Sequence, residues 1–270
     1  MKGKTIFQVS VLALLVLVSV LQGCNNSKKY ELVWSDEFDY TGLPDSTKWS
    51  YDTEGNAWGW GNNELQTYTS HLSKNVEVIN GKLYLTALKE DSLRQPYTSA
   101  RIISKGKGDW LYGRIEVKAK VPGGKGIWPA IWMLPTDWEY GGWPESGEID
   151  IMEHVGYEPD SVYFTVHTEA YNHGIGTQKS KPVYAPDTEH NFHLYSIEWT
   201  PKKIDFFLDH DKVFTFKNEG KTSAEWPFDK RFHLLLNVAV GGNWGGKHGV
   251  DNSIFPCRMI VDYVRVYQKK

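Results

Sequence analysis

The sequence predicts an all-β protein, a jelly-roll β-sandwich of two antiparallel sheets with one concave face. Three observations lead there. Short β-type runs recur along the chain with Gly, Pro, Asn and Asp between them. No long stretch carries a capped 3.6-residue apolar period. Aromatic content is high, with Trp 12, Tyr 15 and Phe 11 beside Gly 25, which suits a β fold that displays aromatic platforms. Many strands without crossover helices pack as two sheets face to face.

Taken in order, the runs Lys82–Leu88, Arg114–Val121, Ser161–His167, His193–Trp199, Lys203–Leu208, Phe232–Val240 and Met259–Tyr267 read as strands. Arg114–Val121 is the cleanest: Ile115, Val117, Ala119 and Val121 share one face, and Arg114, Glu116, Lys118 and Lys120 the other. The best helical candidate is a single turn near Ser223–Trp226. No internal repeat occurs at solenoid or propeller periods. No linker follows Lys29, so one domain covers residues 30–270.

The 270 residues carry a formal net charge of -3, with charged residues at 23% and hydrophobic ones at 40%. That balance excludes wholesale disorder. Without a Lys/Arg block, nucleic acid is not an expected partner. Residues 1–23 form an export leader: Lys2 and Lys4 precede an apolar run from Val9 to Leu21, shorter than the roughly 20 residues a membrane span needs. Its ending, LQGC at 21–24, resembles the bacterial lipobox. On that resemblance Cys24 is lipidated, residues 24–29 are a polar tether, and the product is an exported lipoprotein at the outer membrane or cell surface; simple secretion is the alternative. Cys257 is then a lone thiol, read as buried filler.

The segment WPESGEIDIMEHVG at 143–156 concentrates the chemistry. In an ideal strand Glu148 and Asp150 share a face and Ile149 and Ile151 point into the core. Parity then turns Glu153 inward, where an unpaired carboxylate is very costly. A β-bulge near Ile151 or Met152 removes the conflict by returning Glu153 to the face of the other two acids. Three carboxylates at close range cannot all ionise comfortably, so at least one pKa rises. This asymmetry suits retaining glycoside hydrolysis, in which one carboxylate attacks and a protonated partner about 5–5.5 Å away donates to the leaving oxygen. Glu148 is then the nucleophile, Glu153 the acid/base, and Asp150 the group that orients Glu148; Met152 and His154 support them. A solvated acidic face, or a calcium site built from the same oxygens, is the bland alternative.

GEIDIMEH, with GIWPAIWMLP at 126–135, WGNNELQTYT at 60–69, LLLNVAVGGNWGG at 234–246, LVWSDEFD at 32–39 and VDYVRVYQ at 261–268, resembles glycoside hydrolase family 16 in its laminarinase branch, the endo-β-1,3-glucanases. The matches run through the whole mature domain in order. The resemblance implies a jelly roll with a cleft on its concave face, and it puts the family's acids at Glu148, Asp150 and Glu153. By the same resemblance Asn63, Arg101, His167 and Asn237 contact sugar hydroxyls, and Trp128, Trp132 and Trp143 offer platforms for flat sugar faces; Glu64 either joins them or braces its loop. Even spacing puts Trp128 and Trp132 on one strand face. Trp34, Trp49 and Trp199 are assigned to structure. A structural Ca2+ common in the family would take Asp262, the Gly81 carbonyl and Glu37; catalysis itself calls for no cofactor.

Two motifs are decoys. Gly241–Lys247 has the glycine and lysine spacing of a phosphate loop, but His248 stands at the Ser/Thr position and GVDNSIFP cannot begin a helix. His190 and His193 lack the helix and acid of a zincin. The expected function is therefore a monomeric retaining endo-β-1,3-glucanase acting on laminarin-type glucan. Alternatives are a mixed-linkage glucanase or galactanase of the same family, or a carbohydrate-binding surface lipoprotein that has lost catalysis. Loss of catalysis would remove one of the two glutamates, and both are present.

Overall fold

A computed structural model describes residues 29–92 and 95–270. The leader, Cys24 and the tether up to residue 28 lie outside the described residues. Two sheets carry nearly all the structure. The larger has ten strands, running 211–217, 203–208, 193–200, 113–120, 257–269, 82–92, 95–99 and 66–68 across its width, with 30–36 and 76–79 added beside 257–269 and 82–92. The smaller has eight, in the order 179–184, 161–167, 148–153, 127–135, 232–240, 101–103 and 50–51, with 109–110 added beside 232–240. Pairing is antiparallel except between Gln66–Tyr68 and Gln95–Ser99. The result is an all-β jelly-roll sandwich.

Each strand expected from the sequence forms. Ser161–His167, Lys203–Leu208 and Phe232–Val240 have the expected ends; the last strand begins two residues earlier, at Cys257. Arg114–Lys120 alternates half-buried and buried residues along its length, as its charge pattern requires. The turn at 222–226 closes with one bond from the Trp226 N–H to the Thr222 carbonyl and goes no further. Among the described residues the helical pieces are four single 3-10 turns, at Glu54–Ala57, Gly59–Gly61, His173–Ile175 and Asn252–Ile254. These short turns carry no apolar period and left no sequence signal.

The core between the sheets holds Ile115, Val117, Ile131, Met133, Ile149, Phe164, Val238 and Val264, all fully buried. Trp49 and Trp199 belong to it, each with its indole N–H donated, to Asp36 Oδ2 at 2.8 Å and to the Phe228 carbonyl at 3.0 Å. Trp34 packs edge-on against Trp49 at 5.4 Å. Buried Cys257 has its thiol pKa pushed up to about 12 by that burial, so it is filler. His193 lies in a strand between Asp187 and Asp209, and His190 in a neighbouring turn.

Two of the three residues expected to hold calcium, Glu37 and Asp262, are paired with cationic side chains. Both oxygens of Glu37 are taken by Arg265, at 2.9 and 2.8 Å, and that bond holds the Glu37 carboxyl below its ordinary range. Asp262 sits between Lys82 at 3.4 Å and Lys118 at 3.0 Å. A calcium cage needs six to eight oxygens around one point, so an ion at Asp262 would have to displace Lys82 and Lys118.

Candidate active site

The smaller sheet supplies the site from three adjacent strands, Ile127–Pro135, Glu148–Glu153 and Phe232–Val240. Along the first of these, Ile127, Ile131 and Met133 turn into the core while Trp128, Ala130 and Trp132 turn to the concave face. The acidic strand pairs with it as Met133↔Ile149 and Trp132↔Asp150, and then, after a register shift, as Ile131↔Met152 and Ala130↔Glu153. Ile151 is the extra residue. The other neighbour records the same shift, with Asp150 opposite Thr165 and Glu153 opposite Tyr163. Ile151 and Met152 are both fully buried. The bulge demanded by the sequence is therefore present, and it puts Glu148, Asp150 and Glu153 on one face.

Two adjoining hollows meet at these acids. One, of about 350 Å³, is bounded by Trp58, Trp60, Arg101, Trp132, Trp138 and Trp143. The other, of about 520 Å³, is bounded by Tyr163, Thr165, Gln178, Ser180, Asn243 and Trp244. Glu148, Glu153, Trp128, Asn62 and His173 line both.

Each outer acid is held by an indole: Trp143 Nε1 donates to Glu148 Oε2 at 2.9 Å, and Trp128 Nε1 to Glu153 Oε1 at 3.2 Å. Asp150 is 2% exposed and shares a hydrogen bond with Glu148. Burial raises all three pKa values. Glu153 is pushed up to about 8, by burial first and then by the Glu148 charge. Asp150 lies well above the usual carboxylate range, through burial and then the charges of Glu148 and Glu153. Burial also raises Glu148, but bonds from Asp150 and Trp143 oppose it. Glu148 thus keeps its charge most readily of the three, and Glu153 holds its proton at neutral pH. His167 approaches Asp150 Oδ2 at 3.5 Å and Glu148 Oε1 at 4.0 Å through Nε2. Burial, with His173 nearby, lowers its pKa to about 3, so the ring is neutral. His154 is fully buried behind Glu153 and fastens the strand end, with Nδ1 2.8 Å from the Ser161 carbonyl and Nε2 3.1 Å from Glu189.

The expected sugar-contact residues divide. Arg101, Trp128, Trp132, Trp143 and Asn237 line the first hollow, and His167 the second. Trp132 is fixed from two sides: its N–H donates to Asn237 Oδ1 at 2.7 Å, and the Arg101 guanidinium stacks 4.6 Å from its ring. Asn63 is not in the lining of either hollow but is bonded to Asn243, which lines the second. It is exposed, in a left-handed conformation, and its amide donates to Asn243 Oδ1 at 2.8 Å. Its neighbour Asn62 lines both hollows. Glu64 lines the cleft and also braces its loop, accepting from Gln66 at 2.6 Å. Sequence reasoning missed Trp58, Trp60, Trp138, His173 and Trp244. The first two stand in the glycine-rich run WGWG, whose alternation with glycine was the available signal. The loop at 241–246 bends as its glycines suggest: a Cβ at Gly245 would lie 2.7 Å from Trp128 Cβ, and Trp244 packs edge-on against Trp128.

A concave β-sheet floor, clustered acids of unequal pKa and indole walls define a carbohydrate-active hydrolase. The chain belongs to glycosyl hydrolases family 16, whose model matches residues 62–265. It is 51% identical over 267 residues to a Rhodothermus marinus β-glucanase, covering 93% of each chain. Its fold matches the X-ray structure of the laminarinase from Rhodothermus marinus with a TM-score of 0.87, over 90% of this chain and 98% of that one. A keratan-sulfate endo-1,4-β-galactosidase of Sphingobacterium multivorum is 40% identical over 88% of this chain and 55% of that protein.

Proposed function

We propose that this protein is an endo-acting β-1,3-glucanase that hydrolyses laminarin-type glucan with retention of anomeric configuration. The observation that carries the reading is the shared face of Glu148 and Glu153, each gripped by an indole and each lining both hollows. A linkage between those hollows has cleft on either side, as an internal bond of a polysaccharide requires. Glu148 attacks the anomeric carbon while Glu153, protonated because it is buried beside another acid, gives its proton to the departing oxygen. Glu153, now a carboxylate, takes a proton from water, and that water displaces the sugar from Glu148. The proton shared by Asp150 holds Glu148 in line. Indoles and neutral hydrogen-bonders suit a ligand with apolar C–H faces and many hydroxyls. The similarity to the Rhodothermus marinus laminarinase supports the β-1,3 linkage.

Proton NMR of the first products from laminarin tests the mechanism: wild type releases the β-anomer first and Glu148→Gln releases none. Early α-anomer overturns retention, and glucan bound without cleavage overturns the enzyme. Hydrolysis of mixed-linkage glucan and keratan sulfate beside laminarin tests the substrate, with laminarin cleaved fastest.

The leader and LQGC at 21–24 support export and a lipid anchor at Cys24. Cys24→Ser then frees the protein from membranes, and continued membrane association of that variant sinks the anchor.

A further inference from the structure

One group at the acid cluster lacks a partner. Asp150 is 2% exposed, yet its Oδ2 makes no hydrogen bond. It faces His167 Nε2 at 3.5 Å, too far for such a bond, and the same nitrogen lies 4.0 Å from Glu148 Oε1. One donor atom from each of the three residues falls within 4.8 Å of the other two. Bonds of about 2.0–2.1 Å to nitrogen and oxygen put neighbouring ligands of a four-coordinate ion about 3.3 Å apart. The His167 separations exceed that by a few tenths of an ångström, within reach of a small side-chain rotation.

We propose that Glu148, Asp150 and His167 form a binding site for one divalent transition-metal ion, Cu2+ or Zn2+, whose occupancy shuts off hydrolysis. One imidazole with two carboxylates suits these ions, whereas Mg2+ and Ca2+ prefer all-oxygen shells. The backbone already fixes the three donors: Glu148 and Asp150 share a strand, and Glu148 pairs directly opposite His167. Glu153, on the far side of the bulge, is not a donor. An ion here sits on the carboxylate that must attack sugar, so bound metal and catalysis exclude one another. The fourth position opens to the cleft and takes water.

Titration of the protein with Cu2+ at neutral pH, followed by calorimetry and by electron paramagnetic resonance, tests the site. Wild type is expected to take up one tight ion showing coupling to a single imidazole nitrogen, with laminarin hydrolysis lost in step and restored by EDTA. His167→Gln loses the nitrogen signature and binds at least about tenfold more weakly. Asp150→Asn also weakens binding, while Glu153→Gln keeps it. Circular dichroism and thermal unfolding identify which variants are folded; since His167→Gln and Asp150→Asn each remove a different donor, misfolding of one leaves the other decisive. Equal Cu2+ affinity in wild type and both donor variants overturns the site. A tight ion that leaves hydrolysis intact overturns it as well.

Discussion

At the residue scale the decisive quantity is the protonation of Glu153. Burial and the Glu148 charge push its pKa up to about 8, against about 4.3 for a free glutamate. Donation to the leaving oxygen needs that proton, so kcat/KM is expected to fall as pH rises through about 8, and Glu153→Gln removes that limb and lowers kcat about 10²–10⁴-fold. The same proton affects stability. Between the two pKa values the native chain holds a proton that the unfolded chain has released, so raising pH across this window favours unfolding. Glu153→Gln has nothing to lose there, so its Tm should exceed that of wild type at pH 8 by more than at pH 4; an equal difference at both would refute the raised pKa. Trp132 makes the opposite kind of contribution, through binding. Its ring is braced by Asn237 and Arg101, and Trp132→Ala should raise KM about tenfold, roughly 1.4 kcal/mol, with a smaller change in kcat. Steady-state kinetics on laminarin read the split.

At the element scale the acidic strand depends on a single extra residue. With Ile151 inserted, Asp150 and Glu153 stand opposite Trp132 and Ala130, two residues of the same face. Deleting Ile151 would restore regular pairing with Glu153 still opposite Ala130, on the face of Asp150, so a folded deletion variant should retain hydrolysis; a loss of about 10²-fold or more would show that the bulge sets the exact placement of Glu153 and not merely its face. This irregularity was legible beforehand because the alternative was a buried carboxylate among isoleucines, a cost of several kcal/mol. The loop at Asn62–Asn63 was not legible in that way. Two adjacent asparagines have the same chemistry, and only the folded loop makes Asn62 line the cleft while Asn63, with φ 55, bonds to Asn243. The wall at Trp138 was equally hidden, since loops carry no periodicity to say where an indole points.

At the scale of the whole molecule, stability rests on the core between the sheets and on fixed charge pairs. Glu37 pairs with Arg265, and Asp262 with Lys82 and Lys118, at the residues where a calcium ion was expected. A calcium site filled to a hundred times its Kd would contribute about 2.7 kcal/mol, a shift of several degrees in a domain this size. EDTA tests the ion: a fall in Tm of that order supports it, and an unchanged Tm rules it out. Strand alternation, turn residues and the motifs from LVWSDEFD to VDYVRVYQ determined the all-β class, the family and the three acids by sequence alone, because period-two patterning and parity are local properties of the chain. Tertiary structure decided what depends on distant segments meeting: the union of Arg101, Trp132 and Asn237 across three strands, the burial that separates the pKa values of Glu148 and Glu153, and the cations that claim Glu37 and Asp262. Burial and charge pairing are sums over neighbours in space, and a linear order of residues does not contain them.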